Sequence, residues 1–299
     1  MMNYRNLSLN RRLMLMMMAT IAGSLGISLL LLKTGSNVST THKLEHQPLR
    51  SSIQTIASPP IPTPNTTFEV PQQFHSQTIY QAKLNPTEKV IALTFDDGPW
   101  PKTTAQVLAI LKENNIKATF FLVGQPLESF PDIAKQVVAD GHAIGNHTWH
   151  HWYKMMSDET ATTEIEYTSA LIYRITGVKT SLFRPPGGFL KNGLAKYAKQ
   201  RHDAVIMWSI SAADTDPHAQ VPSLINNVVK GAKPGGIVLM HDGGGDHSKT
   251  VKALPEIISG LKAQGYRFVT LPELLEMQQK QSSTANTGDG HPKNKPETK

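Results

Sequence analysis

The sequence contains no cysteine among its 299 residues. This absence excludes a disulfide framework, a thiolate nucleophile and a metal site built from cysteine. A chain without covalent cross-links must be held together by its hydrophobic core, so a domain of substantial size is expected. Hydrophobic residues make up 39% of the chain and charged residues 18%, which is typical of a globular protein.

Dense runs of basic residues are also absent, although the formal net charge is +7. No basic stripe with interleaved aromatic residues appears, which argues against nucleic acid as a partner. A dispersed positive charge suits a protein that works beside an anionic membrane or cell wall. No whole-unit repeat is found, and nothing in the sequence indicates an obligate protein partner.

An uncharged, mostly apolar segment of 20 residues lies at 13–32 and follows three arginines. About 20 apolar residues cross a bilayer as a helix, whereas a cleavable signal has a shorter apolar region and a small-residue cleavage motif. This segment has no such motif. We therefore predict a transmembrane signal anchor at 13–32, with residues 1–12 cytoplasmic and the remainder at the cell surface or in the periplasm. Cleavage of the segment would instead make the protein secreted.

Polar composition marks two further segments. Residues 33–82 are rich in Ser, Thr, Pro and Asn, and we predict a semi-extended tether there. Residues 280–299 are polar and are predicted to be a disordered tail. One folded domain is therefore predicted at 83–279, held away from the membrane by the tether.

Strand-like and helix-like segments alternate through this domain in about seven β/α units. The predicted strands are Val90–Phe95, Ala118–Val123, Ala143–Asn146, Leu182–Arg184, Ala204–Trp208, Gly236–Met240 and Arg267–Thr270. The predicted helices are Thr103–Asn114, Asp132–Asp140, Asp158–Thr176 with Asp158 as N-cap and Gly177 as stop, Asn192–Gln200, Val221–Lys230, Lys249–Gln264 and Pro272–Gln279. This alternation predicts an α/β fold with parallel strands covered by helices. Periodicity alone does not choose between a closed barrel and an open doubly wound sheet.

Ionisable side chains follow five of the predicted strands. In parallel β/α folds the carboxyl ends of the strands form the active site. The five segments are Asp96-Asp97-Gly98-Pro99, Asn146–His151, Arg184–Gly188, Ser211–Thr215 and His241-Asp242. Their convergence on one rim predicts an enzyme.

Asp97, His147 and His151 form a candidate metal site. The histidines are four residues apart, so one helical turn would place both on one face, with His150 pointing elsewhere. Alone, the aspartates suit a turn and the histidines suit an exposed run; only their combination indicates a metal. Two imidazoles and one carboxylate leave zinc an open position for water. We predict one divalent ion, zinc, with cobalt or another divalent ion as alternatives.

Asp96 and His241 are candidates for proton transfer. The side chains of adjacent aspartates diverge from an extended backbone, so Asp96 and Asp97 suit two different roles. A second carboxylate can act as general base and a separate histidine as general acid. Taken alone, His241 would equally suit a buried core histidine.

These five segments, in this order, resemble the NodB-type polysaccharide deacetylases, carbohydrate esterase family 4, over about Val90–Gln279. The resemblance implies a distorted (β/α)7 barrel that removes N-acetyl groups from a cell-surface or cell-wall polysaccharide containing GlcNAc or MurNAc and releases acetate. The implied roles are Asp96 as general base, Asp97, His147 and His151 as metal ligands, Arg184 orienting the base, His241 as general acid, Asp214 as the partner of that histidine, and Gly187 as the oxyanion amide.

The sequence departs from the family pattern at three positions. Gly187 stands where an aromatic residue is usual, so loss of an aromatic wall is expected. Ser211 stands where aspartate is common, and Thr215 stands where tryptophan is common. An O-acetyl esterase acting on a polysaccharide such as xylan is one alternative function. A catalytically silent glycan-binding protein is another, which the complete set of motif residues disfavours.

Overall fold

The computed structural model describes residues 67–287, with side chains described as far as Thr284. The predicted anchor at 13–32, the segments on either side of it and the tether up to residue 66 lie outside the described residues. None of the helices found between 67 and 287 combines the length and hydrophobicity that a membrane span requires. All described residues belong to one compact unit.

Nine of the eleven strands in the described residues form one curled sheet, and every ladder of the fold is parallel. The strands are β1 (Thr67–Phe68), β2 (Thr78–Ile79), β3 (Val90–Asp96), β4 (Thr119–Leu122), β5 (Ala143–Asn146), β6 (Lys179–Thr180), β7 (Leu182–Phe183), β8 (Ala204–Ile206), β9 (Ile210–Ser211), β10 (Gly236–His241) and β11 (Arg267–Phe268). The order in the main sheet is β2-β8-β7-β5-β4-β3-β10-β9, with β11 beside β3, while β1 and β6 pair separately.

Helices alternate with these strands along the chain. They are α1 (Thr103–Glu113), α2 (Gly124–Ser129), α3 (Pro131–Ala139), α4 (Asp158–Thr176), α5 (Leu194–Gln200), α6 (Val221–Gly231), α7 (Ser248–Ala263) and α8 (Leu271–Thr287), with short 3-10 turns at Gln72–Phe74 and Pro186–Gly188. The seven β/α units and the curl of the sheet confirm the predicted α/β architecture.

Strand β3 shows how the core positions the functional end of the sheet. Ile91, Leu93 and Phe95 belong to the hydrophobic cluster that includes buried residues of α1 and α7. Val90 and Ala92 belong to the cluster that includes the start of α8. Because alternate strand residues face opposite sides, Thr94 and Asp96 follow Val90 and Ala92 on this second face. The sequence therefore turns from apolar to polar along one face of β3, towards its carboxyl end.

The residues between β1 and β3 correct the predicted boundary of the tether. Val70, Phe74, Ile79 and Ala82 are buried, and β2 pairs with β8 at one edge of the sheet. The following segment reaches β10 through a bridge between Gln81 and Gly236. Residues 67–82 are therefore part of the domain and not of the tether. Their elements are two or three residues long, too short for a periodic pattern, and contacts distant in sequence hold them.

The C-terminal helix corrects the predicted tail in a similar way. Helix α8 continues through residues 280–287, which were predicted to be disordered. Its polar side chains have partners: Gln278 Oε1 accepts a hydrogen bond from the Lys83 amide at 2.7 Å, and Gln281 Oε1 accepts one from the Asn85 amide at 2.9 Å. The polar residues of α8 therefore include side chains that bind the segment leading into β3.

The ends of α4 follow ordinary capping chemistry, with one correction. Gly177 adopts the left-handed conformation at φ 71° and ends the helix as predicted. The N-cap is Ser157, whose hydroxyl accepts a hydrogen bond from the Thr160 amide at 3.2 Å. Asp158 is the first helical residue, where its charge suits the helix dipole.

We expect Phe74→Ala to lower the free energy of unfolding by about 3–5 kcal/mol, because it empties a buried aromatic site. Exposed Gln73 provides the control, since Gln73→Ala removes no buried surface. Denaturant unfolding of both variants measures the difference. Equal stability of the two variants would restore residues 67–82 to the tether.

Candidate active site and metal centre

A buried ion pair lies at the carboxyl end of β3. Arg184 is fully buried, and its Nη1 donates to Asp96 Oδ1 at 2.6 Å and to Thr94 Oγ1 at 2.8 Å. Its remaining nitrogens donate to the carbonyls of Ile206 and Met207, both at 3.2 Å. Burial lowers the pKa of the guanidinium, and the Asp96 charge opposes that shift. Arg184 and Asp96 therefore lie together as predicted, with the carboxylate held in one orientation.

Asp97 turns away from Asp96, as predicted for adjacent aspartates. Its backbone adopts φ 74°, in the left-handed region that few residues other than glycine occupy. Its Oδ1 lies 3.0 Å from His151 Nε2 and 3.4 Å from His147 Nε2. Burial raises the pKa of this carboxyl, but the two histidines outweigh burial and hold it well below its ordinary value.

The three predicted metal ligands come together. One ligand atom each from Asp97, His147 and His151 lies within 4.8 Å of the other two. His147 Nδ1 donates to the Arg184 carbonyl at 2.7 Å, so Nε2 is the ring nitrogen that faces Asp97 and is placed to ligate. Within the described chain, Asp97 Oδ1 is buried without a hydrogen bond of proper geometry. An orphaned carboxylate oxygen between two imidazole nitrogens fits a divalent ion.

The predicted helical turn through the two histidines is wrong. Residues 147–151 form a loop in which Thr148 and His151 have φ 68° and φ 58°. The loop folds back to converge the histidines, whose ring centroids lie 4.9 Å apart. His150 points away from them, as expected, and its Nδ1 lies 2.5 Å from Glu164 Oε1.

His241, at the end of β10, and Asp214, in the loop after β9, form the predicted pair beside β3. His241 is in register with Asp96 across the ladder of β10 and β3. Asp214 Oδ1 lies 2.9 Å from His241 Nδ1, and Asp214 Oδ2 accepts from the His241 amide at 2.7 Å and from Thr250 Oγ1 at 2.8 Å. Burial lowers the pKa of His241, but Asp214, with Asp96 and Asp97, raises it to about 9. The imidazolium form is therefore favoured.

Sequence reasoning missed two buried groups beside these pairs. The His247 ring stacks on His241 with centroids 5.6 Å apart, and its buried Nδ1 has no hydrogen-bond partner in the described chain. Asp242 is fully buried, with Oδ2 accepting from Thr104 Oγ1 at 2.5 Å, and burial raises its pKa to about 7. Asp242 is next to the candidate acid His241 in the sequence, but no sequence pattern indicated that its side chain is buried.

Two glycines allow Asp97 and Asp242 to approach each other. A Cβ at Gly98 would lie 2.8 Å from both oxygens of Asp242, and a Cβ at Gly243 would lie 2.2 Å from the Asp97 carbonyl. Side chains at these positions would separate the two strand ends. The glycines are therefore needed to hold the Asp96-Asp97 turn against β10.

Aromatic residues line the position of Gly187, contrary to the expected loss of an aromatic wall. Gly187 has φ 59°, and a Cβ there would lie 2.8 Å from the Tyr153 ring and 2.9 Å from the Phe189 ring. These rings contact each other edge to face at 5.8 Å, and 58% of Tyr153 and 49% of Phe189 are exposed. Tyr153 also contacts the His151 ring at 5.1 Å. The chain thus supplies aromatic surface from neighbouring positions.

Ser211 and Thr215 are both exposed.

Comparison with known proteins brings the fold and these motifs together. A family model described as polysaccharide deacetylase matches residues 83–202. A peptidoglycan-N-acetylglucosamine deacetylase from Bacillus cereus is 41% identical over 215 residues, which cover 72% of this chain and 94% of the relative. The chain belongs to the polysaccharide deacetylase family. The resemblance drawn from five short sequence segments is therefore confirmed.

Solved structures of this family include proteins with different activities. A family 4 acetyl xylan esterase from Clostridium thermocellum, in complex with cobalt, has a TM-score of 0.59 at 37% identity, covering 63% of this chain and 91% of that one. A family 4 pseudoenzyme from Bacillus anthracis has a TM-score of 0.61 at 30% identity, covering 68% of this chain and 70% of that one. The substrate and competence of a polysaccharide deacetylase domain must therefore be argued from its own residues.

We expect His241 to titrate near pH 9 in the metal-free protein and Asp214→Asn to move its pKa down, because the imidazolium loses its charged partner. The interaction that raises the histidine pKa on folding also stabilises the folded protein. This stabilisation is complete at pH values below the ordinary histidine pKa near 6.5 and is lost as the pH rises through 9. NMR titration of the histidine ring measures the shift. Asp216→Asn removes an exposed carboxylate of the same loop and is the control; an equal shift in both variants would contradict the pairing.

Proposed function

We propose that this protein is a metal-dependent hydrolase that removes N-acetyl groups from a cell-wall glycan, with peptidoglycan as the leading substrate. One observation carries this proposal. The Asp97, His147 and His151 cluster lies beside the buried Asp96–Arg184 pair, and the His241–Asp214 pair reaches the same rim from the neighbouring strand. The Bacillus cereus relative, named for its action on peptidoglycan N-acetylglucosamine, supports this choice of substrate.

The metal ligands we propose are Asp97, His147 and His151. When bound, a divalent ion supplies a Lewis acid that polarises the acetyl carbonyl and lowers the pKa of water. Two imidazoles and one carboxylate favour zinc, and the cobalt in the acetyl xylan esterase structure makes cobalt the first alternative. The fit is supported by the direction of His147 Nε2, which faces Asp97 Oδ1 at 3.4 Å, and by the absence of a hydrogen bond to that buried oxygen within the described chain.

Asp96 would act as the general base. Arg184 donates to Oδ1 of Asp96. The other oxygen of Asp96, Oδ2, lies 3.6 Å from His147 Nε2 and so faces the cluster of proposed ligands. A carboxylate in that position can accept the proton of an attacking water molecule. The buried guanidinium keeps the carboxylate in place during the transfer, since it also donates to two main-chain carbonyls.

His241 would act as the general acid. Attack on an amide leaves a poor leaving group that must be protonated before the C–N bond breaks, so acid and base must be different groups. Asp214 orients His241 through Nδ1, which leaves Nε2 to donate its proton to the departing nitrogen. The Gly187 amide would stabilise the oxyanion, and the exposed Tyr153 and Phe189 rings beside it would stack on a sugar face.

An O-acetyl esterase remains the second candidate, because the acetyl xylan esterase has the same fold at 37% identity. The same groups would serve an ester, whose leaving alkoxide needs less help from an acid. Dependence of the rate on His241 should therefore be stronger for an amide than for an ester. A silent glycan-binding role is disfavoured because the predicted metal, base and acid residues are all present and assembled.

We expect acetate release from N-acetylglucosamine polymers, including peptidoglycan, and little from acetyl-xylan. Asp96→Asn and His241→Ala should each lower kcat about 10²–10⁴-fold with metal content retained, because each removes one proton-transfer group. His147→Ala should lose both metal and activity, whereas His218→Ala, which removes an exposed histidine, should lose neither. Enzymatic acetate assay and metal analysis provide the two measurements.

Preferred turnover of acetyl-xylan would establish the esterase instead. No release from any acetylated glycan by metal-replete protein would support the silent role. Full metal content in His147→Ala would show that the ion lies elsewhere.

The proposed location is extracytoplasmic, with residues 13–32 as an uncleaved membrane anchor. The basis is the length and lack of charge of that segment, together with the cell-wall glycan that the relative acts on. We expect the mature protein to be found in the membrane fraction and to begin upstream of residue 13. N-terminal sequencing measures this, and a start beyond residue 32 would show a cleaved signal and a secreted protein.

A further inference from the structure

The loop that carries the two proposed metal histidines is not held by regular structure. Thr148 and His151 both have positive φ, which costs about 1–3 kcal/mol per residue and persists only where surrounding contacts impose it. A metal alone cannot impose it before binding. The contacts of the loop with the rest of the chain must therefore select this conformation.

Glu164 supplies three hydrogen bonds to this loop from the middle of α4. Only 1% of this residue is exposed. Its Oε2 accepts from the Trp149 amide at 3.0 Å and from the His150 amide at 2.9 Å, and its Oε1 accepts from the His150 ring. One buried carboxylate thus binds three donors in the two residues that lie midway between His147 and His151.

We propose that Glu164 is a positioning residue that preorganises the metal site. It touches neither histidine ligand, but it holds the centre of the loop against a rigid helix, so both ligands extend from a fixed point. This inference rests on the proposed metal site at Asp97, His147 and His151. It assigns to a buried acid the function of making that site ready before the ion arrives.

The other hydrogen bonds of the loop have neutral partners. The Thr148 and Trp149 carbonyls accept from the Gly124 and Gln125 amides at 2.9 and 3.1 Å, at the start of α2. The Thr148 amide donates to Asn146 Oδ1 at 2.8 Å, and the His151 amide donates to Thr148 Oγ1 at 3.2 Å. Both bonds are local and neutral, whereas hydrogen bonds to an ionised acceptor are about twice as strong. The His150 ring also stacks on Trp152 with centroids 4.0 Å apart, but this pair moves with the loop.

The test is the zinc affinity of the metal-free full-length protein in detergent, measured by competition with a chromophoric chelator. Glu164→Gln keeps the shape but places an amide N–H₂ against loop donors. We expect zinc binding about 10–100-fold weaker, the usual cost of losing a group that supports metal ligands. Glu166→Gln is the matched control, because Glu166 lies on the same helix, is partly exposed and pairs with Tyr197 and Arg201.

A second readout separates positioning from general stability. Hydrogen exchange at the Trp149 and His150 amides should accelerate in Glu164→Gln. The melting temperature of the metal-free protein should change little, although its zinc affinity falls. If Glu164→Gln does not fold, His150→Leu removes one of the three bonds at a partly exposed residue and should still weaken zinc binding several-fold.

If Glu164→Gln folds and its zinc affinity is within twofold of that of the original protein, the inference is wrong. If Glu164→Gln does not fold, an unchanged zinc affinity in His150→Leu overturns the inference. A loss of affinity equal to that of Glu166→Gln would also overturn it. If the unsubstituted protein binds no zinc, cobalt or other divalent ion, the proposed metal site itself fails and the inference fails with it.

Discussion

The buried Arg184 residue is the constraint on which the rest of the site depends. Its guanidinium is out of contact with water, and removing the Asp96 charge from such a pair costs about 3–5 kcal/mol. The same residue binds two groups of different function. Its side chain holds the proposed base, and its carbonyl accepts from His147 Nδ1 and so selects the ring nitrogen that faces the metal position. The proposed base and one proposed metal ligand are therefore positioned by a single residue of one strand end.

This arrangement explains why the polar residues are clustered where they are. The buried strands pack helices on one face and the start of α8 on the other, so a polar side chain is tolerated only where a partner or solvent is available. On β3 this change occurs at Thr94 and Asp96, both of which bind Arg184. Glycine at positions 98 and 243 then lets β3 and β10 end close together. Close backbone approach, rather than long side chains, brings the proposed acid and base to one rim.

The elements that sequence could predict are those with a repeated local signal. The continuous apolar run of β3 was recognisable from residue type alone. The grouping of Asp97, His147 and His151 was recognisable from residue type and from their positions after predicted strands, although the helical spacing expected for the histidines was wrong. Glu164 was not recognised, although it lies three residues after Ala161 and four before Thr168 on the buried stripe of α4. A charged residue on the buried face of a helix indicates that it has a buried partner, but the sequence does not identify that partner. The loop at 147–151 and the short strand β2 were missed because non-local contacts select their conformations.

Charge in the site constrains how the proposed acid can keep its proton. Asp214, Asp96 and Asp97 all raise the pKa of His241. A divalent ion bound by Asp97 would offset the charge of that carboxylate and would also repel an imidazolium, since like charges disfavour ionisation. The largest contribution comes from Asp214, which is not a proposed metal ligand, bonds Nδ1 directly and is itself fixed by Thr250 and the His241 amide. The Asp214 partnership would therefore allow a protonated histidine to coexist with a metal cation held by the proposed ligands on the same rim.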